Sequence, residues 1–283
     1  MIEERQPSRT ALGAAAYRAA HQIVDGGAIF PDPYARQILG AEGDSYVALF
    51  TTDPSQKPMR LFMAARSRFG EDSLALAVDR EVWQAVVLGA GLDTFSLRNP
   101  HAEKGLRVFE VDHPATQAWK RRRLDEMRCG ASASTTFVPV DLERQSLGAR
   151  LEEAGFRSDQ PAFFLWLGVV PYLRSTAIFA TLRYIASIPD SEVVFDYSEP
   201  LENYPPERRT KVAELARRTA DVGEPWVSHF DPGDLARELR NLGFAECQDL
   251  GLSAIAVRYF GGPATGDPGA GPHVIRARMR ERP

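Results

Sequence analysis

The feature that most constrains this chain is an apolar run that ends in a Gly-x-Gly turn. Residues 85–88 are all apolar, and Gly89, Ala90 and Gly91 follow them directly. A buried strand followed by a glycine turn and a helix is typical of α/β proteins that hold a nucleoside-bearing cofactor. The glycines allow the close backbone approach that such a cofactor needs. We therefore predict a parallel sheet with a cofactor-binding loop at this turn.

Acidic residues follow the next two predicted strands. Asp112 ends the strand predicted at 107–112, where a carboxylate can accept the ribose hydroxyls of a nucleoside. Asp141 and Leu142 follow the strand predicted at 136–140, where an acid can accept the exocyclic amine of adenine. Each feature has a structural alternative, because glycines also serve turns and acids also cap helices. Together, at the ends of adjacent strands, they predict an adenosine site.

The residues after the glycines indicate which cofactor this is. Thr94 stands where a dinucleotide-binding helix has its third glycine, and Asp93 lies at the start of that helix. A pyrophosphate binds at a helix N-terminus, and the Asp93 carboxylate would repel it. S-adenosylmethionine has no phosphate, and its sulfonium cation is compatible with nearby acids. The sequence therefore favours S-adenosylmethionine over NAD.

Composition narrows the class of partner. The 283 residues carry a net charge of −4, so no basic field gathers nucleic acid or an anionic membrane. The two cysteines show no metal-ligand spacing, so no metal is predicted, and they suggest a reducing compartment. The longest apolar run, 162–173, is too short to span a bilayer, and the N-terminus lacks an apolar signal segment. We expect a cytoplasmic protein with a small-molecule substrate.

Short apolar runs alternate with helical stretches from residue 83 onward, which predicts βαβ units. We divide the chain into a helical N-terminal extension (1–80), a cofactor-binding core (81–200), an inserted helical lid (201–230) and a C-terminal completion of the core (231–283). Strands are predicted at 85–88, 107–112, 136–140, 162–167, 192–197 and 244–250, with a final edge strand at 273–279. The basic run 120–123 is predicted to be a solvated helix face.

Several motifs resemble the leucine carboxyl methyltransferase family, over nearly the whole chain. They are Arg9-Thr10-Ala11-Leu12, Tyr17-Arg18-Ala19, Asp32-Pro33-Tyr34-Ala35, Ala65-Arg66-Ser67-Arg68-Phe69, Gly89-Ala90-Gly91-Leu92-Asp93-Thr94, Phe109-Glu110-Val111-Asp112-His113-Pro114, Asp141-Leu142 and Gly223-Glu224-Pro225-Trp226. The resemblance implies an α/β, Rossmann-like class I methyltransferase sheet, mostly parallel with an antiparallel last strand. It also implies O-methylation of a small carboxylate or phenol, plausible for bacterial secondary metabolism.

The resemblance also assigns cofactor-binding residues. The family holds the methionine carboxylate with basic residues of its N-terminal helices, and Arg66 and Arg18 match those positions. Gly89 with Asp112, and Asp141 with Leu142, match the family's ribose and adenine contacts.

The chain departs from the family at one cofactor-pocket position. Many members have a glutamate after the fourth strand, and this chain has Leu167 there. Leucine cannot make the polar contact that the glutamate contributes to the cofactor pocket. This motivates a non-catalytic binding protein as one alternative, and an NAD-dependent oxidoreductase remains the other.

Methyl transfer depends mainly on alignment of the reacting atoms. A carboxylic acid is ionised at neutral pH and needs no base, whereas a phenol benefits from one. His229, in the predicted lid, is the candidate base. Tyr172, Tyr197 and Trp226 are candidates to line the substrate pocket, and strand-end aromatics in the core are the alternative.

Overall fold

The computed structural model describes residues 8–130, 132–142, 144–221, 223–262 and 270–280. The chain divides into two compact units, residues 1–156 and 157–283. The helices of the first unit are α1 (Arg9–Val24), α2 (Ala35–Leu39), α3 (Asp44–Thr52), α4 (Lys57–Val78), α5 (Phe95–Arg98), α6 (Pro114–Glu126) and α7 (Leu147–Glu153). Its strands are β1 (Gln84–Leu88), β2 (Arg107–Asp112) and β3 (Thr135–Pro139).

The N-terminal helices pack on one another through small side chains. Ser8 caps α1, because its hydroxyl accepts a hydrogen bond from the Ala11 amide at 3.2 Å. The alanines of α1 allow close approach of its neighbours, and Tyr17 stacks on Phe50 of α3 with ring centroids 3.8 Å apart. Helices α1 to α4 lie within the predicted N-terminal extension, whose bounds and role stay a prediction.

The strands of the first unit are parallel, in the order β3-β2-β1. Leu88 pairs with Val111, and Asp112 pairs with Pro139. The segments that follow these strands therefore start at the same edge of the sheet. This register carries the glycine turn and both predicted acids to that edge, as the sequence predicts.

The second unit contains the helices α8 (Ser175–Ser187), α9 (Pro206–Asp221), α10 (Pro232–Asn241) and α11 (Leu252–Phe260). Its strands are β4 (Phe163–Trp166), β5 (Glu192–Ser198), β6 (Phe244–Leu250) and β7 (Pro272–Met279), in the order β4-β5-β7-β6. β4 and β5 are parallel, and β7 is antiparallel to both of its neighbours. The mostly parallel fold with an antiparallel last strand is confirmed.

The prediction that the last strand lies at an edge is wrong. β7 lies between β5 and β6, and its polar residues have partners inside the sheet. The guanidinium of Arg276 donates to Glu192 of β5 at 2.6 Å, and His273 lies 3.0 Å from Asp249 of β6. The polar residues of β7 are therefore paired with the neighbouring strands and do not mark a solvent-facing edge.

The first part of the predicted lid segment is helical, and residues 223–230 form no helix or strand. It contains a 3₁₀ turn at Leu201–Asn203 and helix α9, none of whose described residues is buried. α10 then begins after Asp231, whose carboxylate accepts from the amides of Gly233 at 2.9 Å and Asp234 at 3.2 Å. The four-part division of the chain, including the role of this segment as a lid, stays a prediction. No helix in the described ranges is long and apolar enough to cross a membrane.

The basic run 120–123 is not a uniformly solvated face, and that prediction is wrong at Lys120. The Lys120 ammonium donates to Glu110 of β2 at 2.6 Å, and both side chains are 1% exposed. The next two residues, Arg121 and Arg122, are exposed. A buried charge is tolerated only when it is paired, so this ion pair fixes α6 on β2.

Lys120→Met should destabilise the protein strongly, because it leaves the Glu110 carboxylate buried without its cation. We expect the free energy of unfolding in urea to fall by about 3–5 kcal/mol. The matched control, Arg122→Met, removes an exposed cation from the same helix and should change it by less than about 0.5 kcal/mol. Equal urea midpoints for the two variants would contradict a structural role for the ion pair.

Candidate cofactor and acceptor sites

The turn after β1 requires both of its glycines. Gly89 and Gly91 have positive φ angles, 63° and 44°. A Cβ atom on Gly91 would also lie 3.1 Å from the Cβ of Ala11 in α1, tighter than ordinary contact. The turn is closed by hydrogen bonds from the Ala90 amide to the Val111 carbonyl at 3.0 Å and from the Asp93 amide to the Ala90 carbonyl at 2.7 Å. The backbone is therefore held in one shape beside the end of β2.

Asp112 lies directly against this turn. Its carboxylate accepts hydrogen bonds from the Gly91 amide and, at 2.6 Å, from the His113 amide. Burial raises the pKa of Asp112 to about 6, against the opposing effect of these two amides. The structure thus brings Gly91 and Asp112 into contact, as the spacing in the sequence predicts.

The carboxylate of Asp93 lies at the N-terminus of α5. Asp93 accepts a hydrogen bond from the Phe95 amide at 2.7 Å. In a dinucleotide-binding protein this is where the pyrophosphate meets the helix. The local charge therefore opposes a dinucleotide.

The buried residue Asp32 holds the turn after β1 in place. Asp32 is fully buried, and its carboxylate accepts from the Thr94 hydroxyl at 2.7 Å and from Nε of Arg18 at 2.9 Å. The Arg18 guanidinium also donates to the Leu92 carbonyl at 2.6 Å. These bonds explain why a threonine stands in place of a third glycine, since its hydroxyl is needed to bind Asp32.

A second arginine completes this anchor. Nε of Arg98 donates to the Thr94 hydroxyl at 3.1 Å, and its two terminal nitrogens donate to the Glu71 carboxylate of α4 at 2.7 and 2.5 Å. Burial alone would raise the pKa of Asp32, but the charges of Arg18 and Arg98 and the hydrogen bond from Thr94 lower it below its usual range. Asp32 is therefore ionised, and its charge is balanced by cations from two helices.

Sequence analysis missed Asp32 and Arg98. The available signal was the acid in Asp32-Pro33-Tyr34, together with Arg18, the one charge in the alanine-rich stretch 11–20.

The two arginines predicted to hold the methionine carboxylate differ in their surroundings. Arg18 is engaged by Asp32 and Leu92, so it supports the turn directly. Arg66 is a buried residue of α4. The cofactor contacts of both stay predictions.

Asp141 and Leu142 directly follow Val140, whose amide donates a hydrogen bond to the Asp112 carbonyl at 2.8 Å. Leu142 is half-buried, and the Asp141 carboxylate lies 3.6 Å from Nε of the exposed Arg144. The structure therefore places the predicted adenine residues beside the predicted ribose residue.

Within the second unit, the residue after β4 is half-buried Leu167, and its neighbour Gly168 has a φ of 73°. The Gly168 amide donates to the buried carboxylate of Asp196 in β5 at 2.5 Å. A carboxylate is therefore present beside this turn although position 167 lacks one. Sequence analysis missed Asp196, whose signal was an acid directly after the apolar run 193–195.

The predicted base lies on a segment tied to the turn that contains Tyr172. The amides of Val227 and Ser228 donate to the Pro171 carbonyl at 2.7 and 3.2 Å. His229 is exposed, and its ring centroid lies 6.5 Å from that of Trp226. Partial burial lowers the pKa of His229, against the opposing charge of Glu202, so its imidazole is neutral at neutral pH.

Tyr197 lies in the interior and not on an open pocket wall. It is 1% exposed, its hydroxyl donates to Asp249 at 2.5 Å, and its ring stacks on His273 with centroids 4.9 Å apart. This geometry gives Tyr197 a supporting role, and its predicted contact with substrate stays untested.

Comparison with known proteins identifies the family of the chain. A family model described as leucine carboxyl methyltransferase matches residues 11–186. The YktD protein of Bacillus subtilis (strain 168), named for S-adenosyl-L-methionine-dependent methyltransferase activity, is 32% identical over 179 residues, which cover 62% of this chain and 59% of that protein. The chain spans about three-fifths of the length of the curated relatives it matches.

Two solved structures share the fold. The magnesium protoporphyrin IX methyltransferase of Synechocystis PCC 6803, with SAH bound, has a TM-score of 0.50 at 13% identity and covers 92% of this chain and 99% of its own. A duf574 family protein from Streptomyces avermitilis has a TM-score of 0.54 at 15% identity, covering 97% of this chain and 98% of its own. The fold is that of the class I methyltransferases.

The matched family model covers more than half of the sequence, and the chain belongs to the leucine carboxyl methyltransferase family. The predicted family is therefore confirmed. The predicted cofactor, S-adenosylmethionine, is the one in the relatives' names and is confirmed at the level of the family.

Thr94→Val should test the hydrogen bonds that join the turn after β1 to Asp32 and Arg98. The substitution removes the hydroxyl that both residues contact and keeps the shape of the side chain. We expect a loss of about 1–3 kcal/mol in the free energy of unfolding, the cost of leaving buried polar groups without a partner. Thr210→Val, at an exposed position of α9, is the control and should stay within about 0.5 kcal/mol of the native chain. A Thr94→Val chain as stable as the control would rule out this anchor.

Proposed function

We propose that this protein is an S-adenosylmethionine-dependent O-methyltransferase that acts on a small-molecule carboxylate or phenol. The observation that carries the proposal is the Asp112 carboxylate, held against the Gly89–Gly91 turn at the shared edge of parallel strands. It has the chemistry to accept ribose hydroxyls, while Asp93 opposes the phosphates of a dinucleotide. We further infer a cytoplasmic protein and a role in bacterial secondary metabolism, the latter from family analogy.

The residues present suit this cofactor. Asp112 would accept the ribose hydroxyls, and Asp141 with Leu142 would contact the adenine. Arg66 and Arg18 would bind the methionine carboxylate, since a guanidinium matches a carboxylate in two parallel hydrogen bonds. When bound, the cofactor supplies a methyl group activated by a sulfonium.

The protein's own part in the reaction is alignment and proton removal. A carboxylate acceptor arrives ionised, so alignment alone suffices for it. For a phenol, the neutral imidazole of His229 would take the hydroxyl proton while the acceptor oxygen bonds to the methyl carbon and the carbon–sulfur bond breaks. The lowered pKa of His229 keeps the imidazole able to accept that proton at neutral pH.

Two alternatives are separated by binding measurements. An NAD-dependent oxidoreductase would bind NAD, and a non-catalytic protein would bind the methyl donor without transferring the methyl group. Leu167 motivates the second alternative, since it removes one polar contact from the family's cofactor pocket.

Calorimetric titration of the full chain should show binding of S-adenosylmethionine and no binding of NAD. Asp112→Ala and Arg66→Ala should each weaken donor binding by roughly ten- to a hundredfold, since each removes charge-assisted hydrogen bonds. Asp125→Ala, an exposed acid on α6, should leave the affinity unchanged. Tight NAD binding without a response to the methyl donor would refute the proposal.

Donor affinity should also depend on pH. The Asp112 pKa is raised to about 6, so below that value the carboxyl gains a proton and loses the ability to accept both ribose hydroxyls. Affinity should be constant above about pH 7 and fall as the pH drops through about 6. Calorimetry across this range should give a flat profile for Asp112→Asn, and a parallel decline in that variant would exclude Asp112 as the titrating group.

A further inference from the structure

Helix α4 carries Arg66 between two ion pairs that tie the helix to its neighbours. Near the start of α4, the Arg60 guanidinium donates to the Asp25 carboxylate, which follows α1, at 2.8 and 3.3 Å. Five residues beyond Arg66, the Glu71 carboxylate accepts from both terminal nitrogens of Arg98 in α5 at 2.7 and 2.5 Å. The helix is therefore held at two points, one on each side of Arg66.

The second of these ion pairs joins α4 to the turn after β1. Nε of Arg98 donates to the Thr94 hydroxyl at 3.1 Å and lies 3.8 Å from the Asp32 carboxylate. The side chains of Arg98 and Glu71 are 13% and 20% exposed, so the pair is largely shielded from water. A guanidinium and a carboxylate joined by two parallel hydrogen bonds fix both distance and orientation. Glu71 therefore fixes where α4 lies relative to the turn.

The turn itself has supports that do not involve α4. Asp32 accepts from the Thr94 hydroxyl at 2.7 Å, and Arg18 of α1 donates to the Leu92 carbonyl at 2.6 Å. Loss of the pair between α4 and α5 leaves these hydrogen bonds in place. Its expected effect is a change in the position of α4 relative to the turn, with the shape of the turn preserved.

S-adenosylmethionine has two ends that must be bound together. In the proposed site its nucleoside is held at the turn and Asp112, and its methionine carboxylate at Arg66 of α4. When two recognised groups belong to one molecule, the affinity gained from the second group depends on how well the spacing of the two subsites matches the ligand. A ligand that reaches only one subsite is indifferent to that spacing.

We propose that Glu71 is a positioning residue for the cofactor. Through Arg98 it fixes the spacing between Arg66 and the turn after β1, and it thereby favours a nucleoside that carries an amino-acid chain over the nucleoside alone. This inference rests on the proposed function, because it takes the positions of the two cofactor ends from it.

Two probes separate an effect on spacing from general support of the fold. S-adenosylhomocysteine has both ends, and 5′-methylthioadenosine has the same nucleoside and a thioether without the amino-acid end. In calorimetric titration of the full chain, S-adenosylhomocysteine should bind at least about tenfold more tightly than 5′-methylthioadenosine. Arg66→Ala should bring the two affinities to within about threefold, because it removes a partner of the carboxylate.

Glu71→Gln should weaken binding of S-adenosylhomocysteine about fivefold or more and leave the affinity for 5′-methylthioadenosine within about twofold of the native value. The matched control is Asp72→Asn, at the next residue of α4. The Asp72 carboxylate accepts from Nε of Arg68 in the same helix at 2.7 Å, so its loss leaves the spacing and the ratio of the two affinities unchanged. Thr94→Val acts on the turn itself and should weaken both probes by a similar factor.

Equal weakening of both probes in Glu71→Gln would show that this residue only supports the fold, and would overturn the proposal. A ratio of affinities equal to that of Asp72→Asn would also overturn it. If Glu71→Gln is too unstable to titrate, Arg98→Lys replaces it. The lysine keeps the charge but lacks the planar fork that binds a carboxylate in two parallel hydrogen bonds, so the ratio should fall, and an unchanged ratio would again refute the positioning role.

Failure of the proposed function gives a different pattern from failure of this inference. If the native chain binds neither S-adenosylmethionine nor S-adenosylhomocysteine, both are wrong. If both bind and Arg66→Ala leaves the ratio of the two probes unchanged, the donor site stands and the placement of the carboxylate at α4 is wrong, and this inference with it. If Arg66→Ala abolishes the preference and Glu71→Gln does not reduce it, only the positioning role of Glu71 is wrong.

Discussion

The first unit depends on one buried charge, the Asp32 carboxylate. It receives hydrogen bonds from Arg18 and Thr94, and Arg98 reaches the same threonine while pairing with Glu71. A buried ion is tolerable only when its partners are in place, so the N-terminal helices and the turn after β1 are fixed together. The shape of the turn is therefore set by charges on helices that precede it in the chain. A turn held this way has little freedom to change its shape.

The structure places a carboxylate close to Leu167, the position at which the chain departs from the family. The turn after β4 meets the carboxylate of Asp196, which receives the Gly168 amide. The loss of an acid at one position is thus accompanied by an acid on the neighbouring strand.

Regular elements were largely predictable because apolar runs and turn residues act locally. The strands at 107–112 and 244–250 have the predicted bounds. Paired polar residues were not predictable in this way. Lys120, in a run of four basic residues, is buried and paired with Glu110. β7 has the alternating pattern expected of an edge strand but is a central strand of the sheet. In both cases the partner comes from another element, so no local pattern indicates it.

The sequence by itself determined the fold class, the family, and the placement of the glycine turn, Asp112 and Asp141 at one sheet edge. Strand periodicity and the short-range order of motifs are sufficient for these. Only the tertiary structure decided that Asp32 anchors the turn after β1 and that Tyr197 lies in the interior. The reason is physical: burial and pairing of polar groups depend on contacts between residues distant in the chain, such as Asp32 with Thr94 and His273 with Glu199.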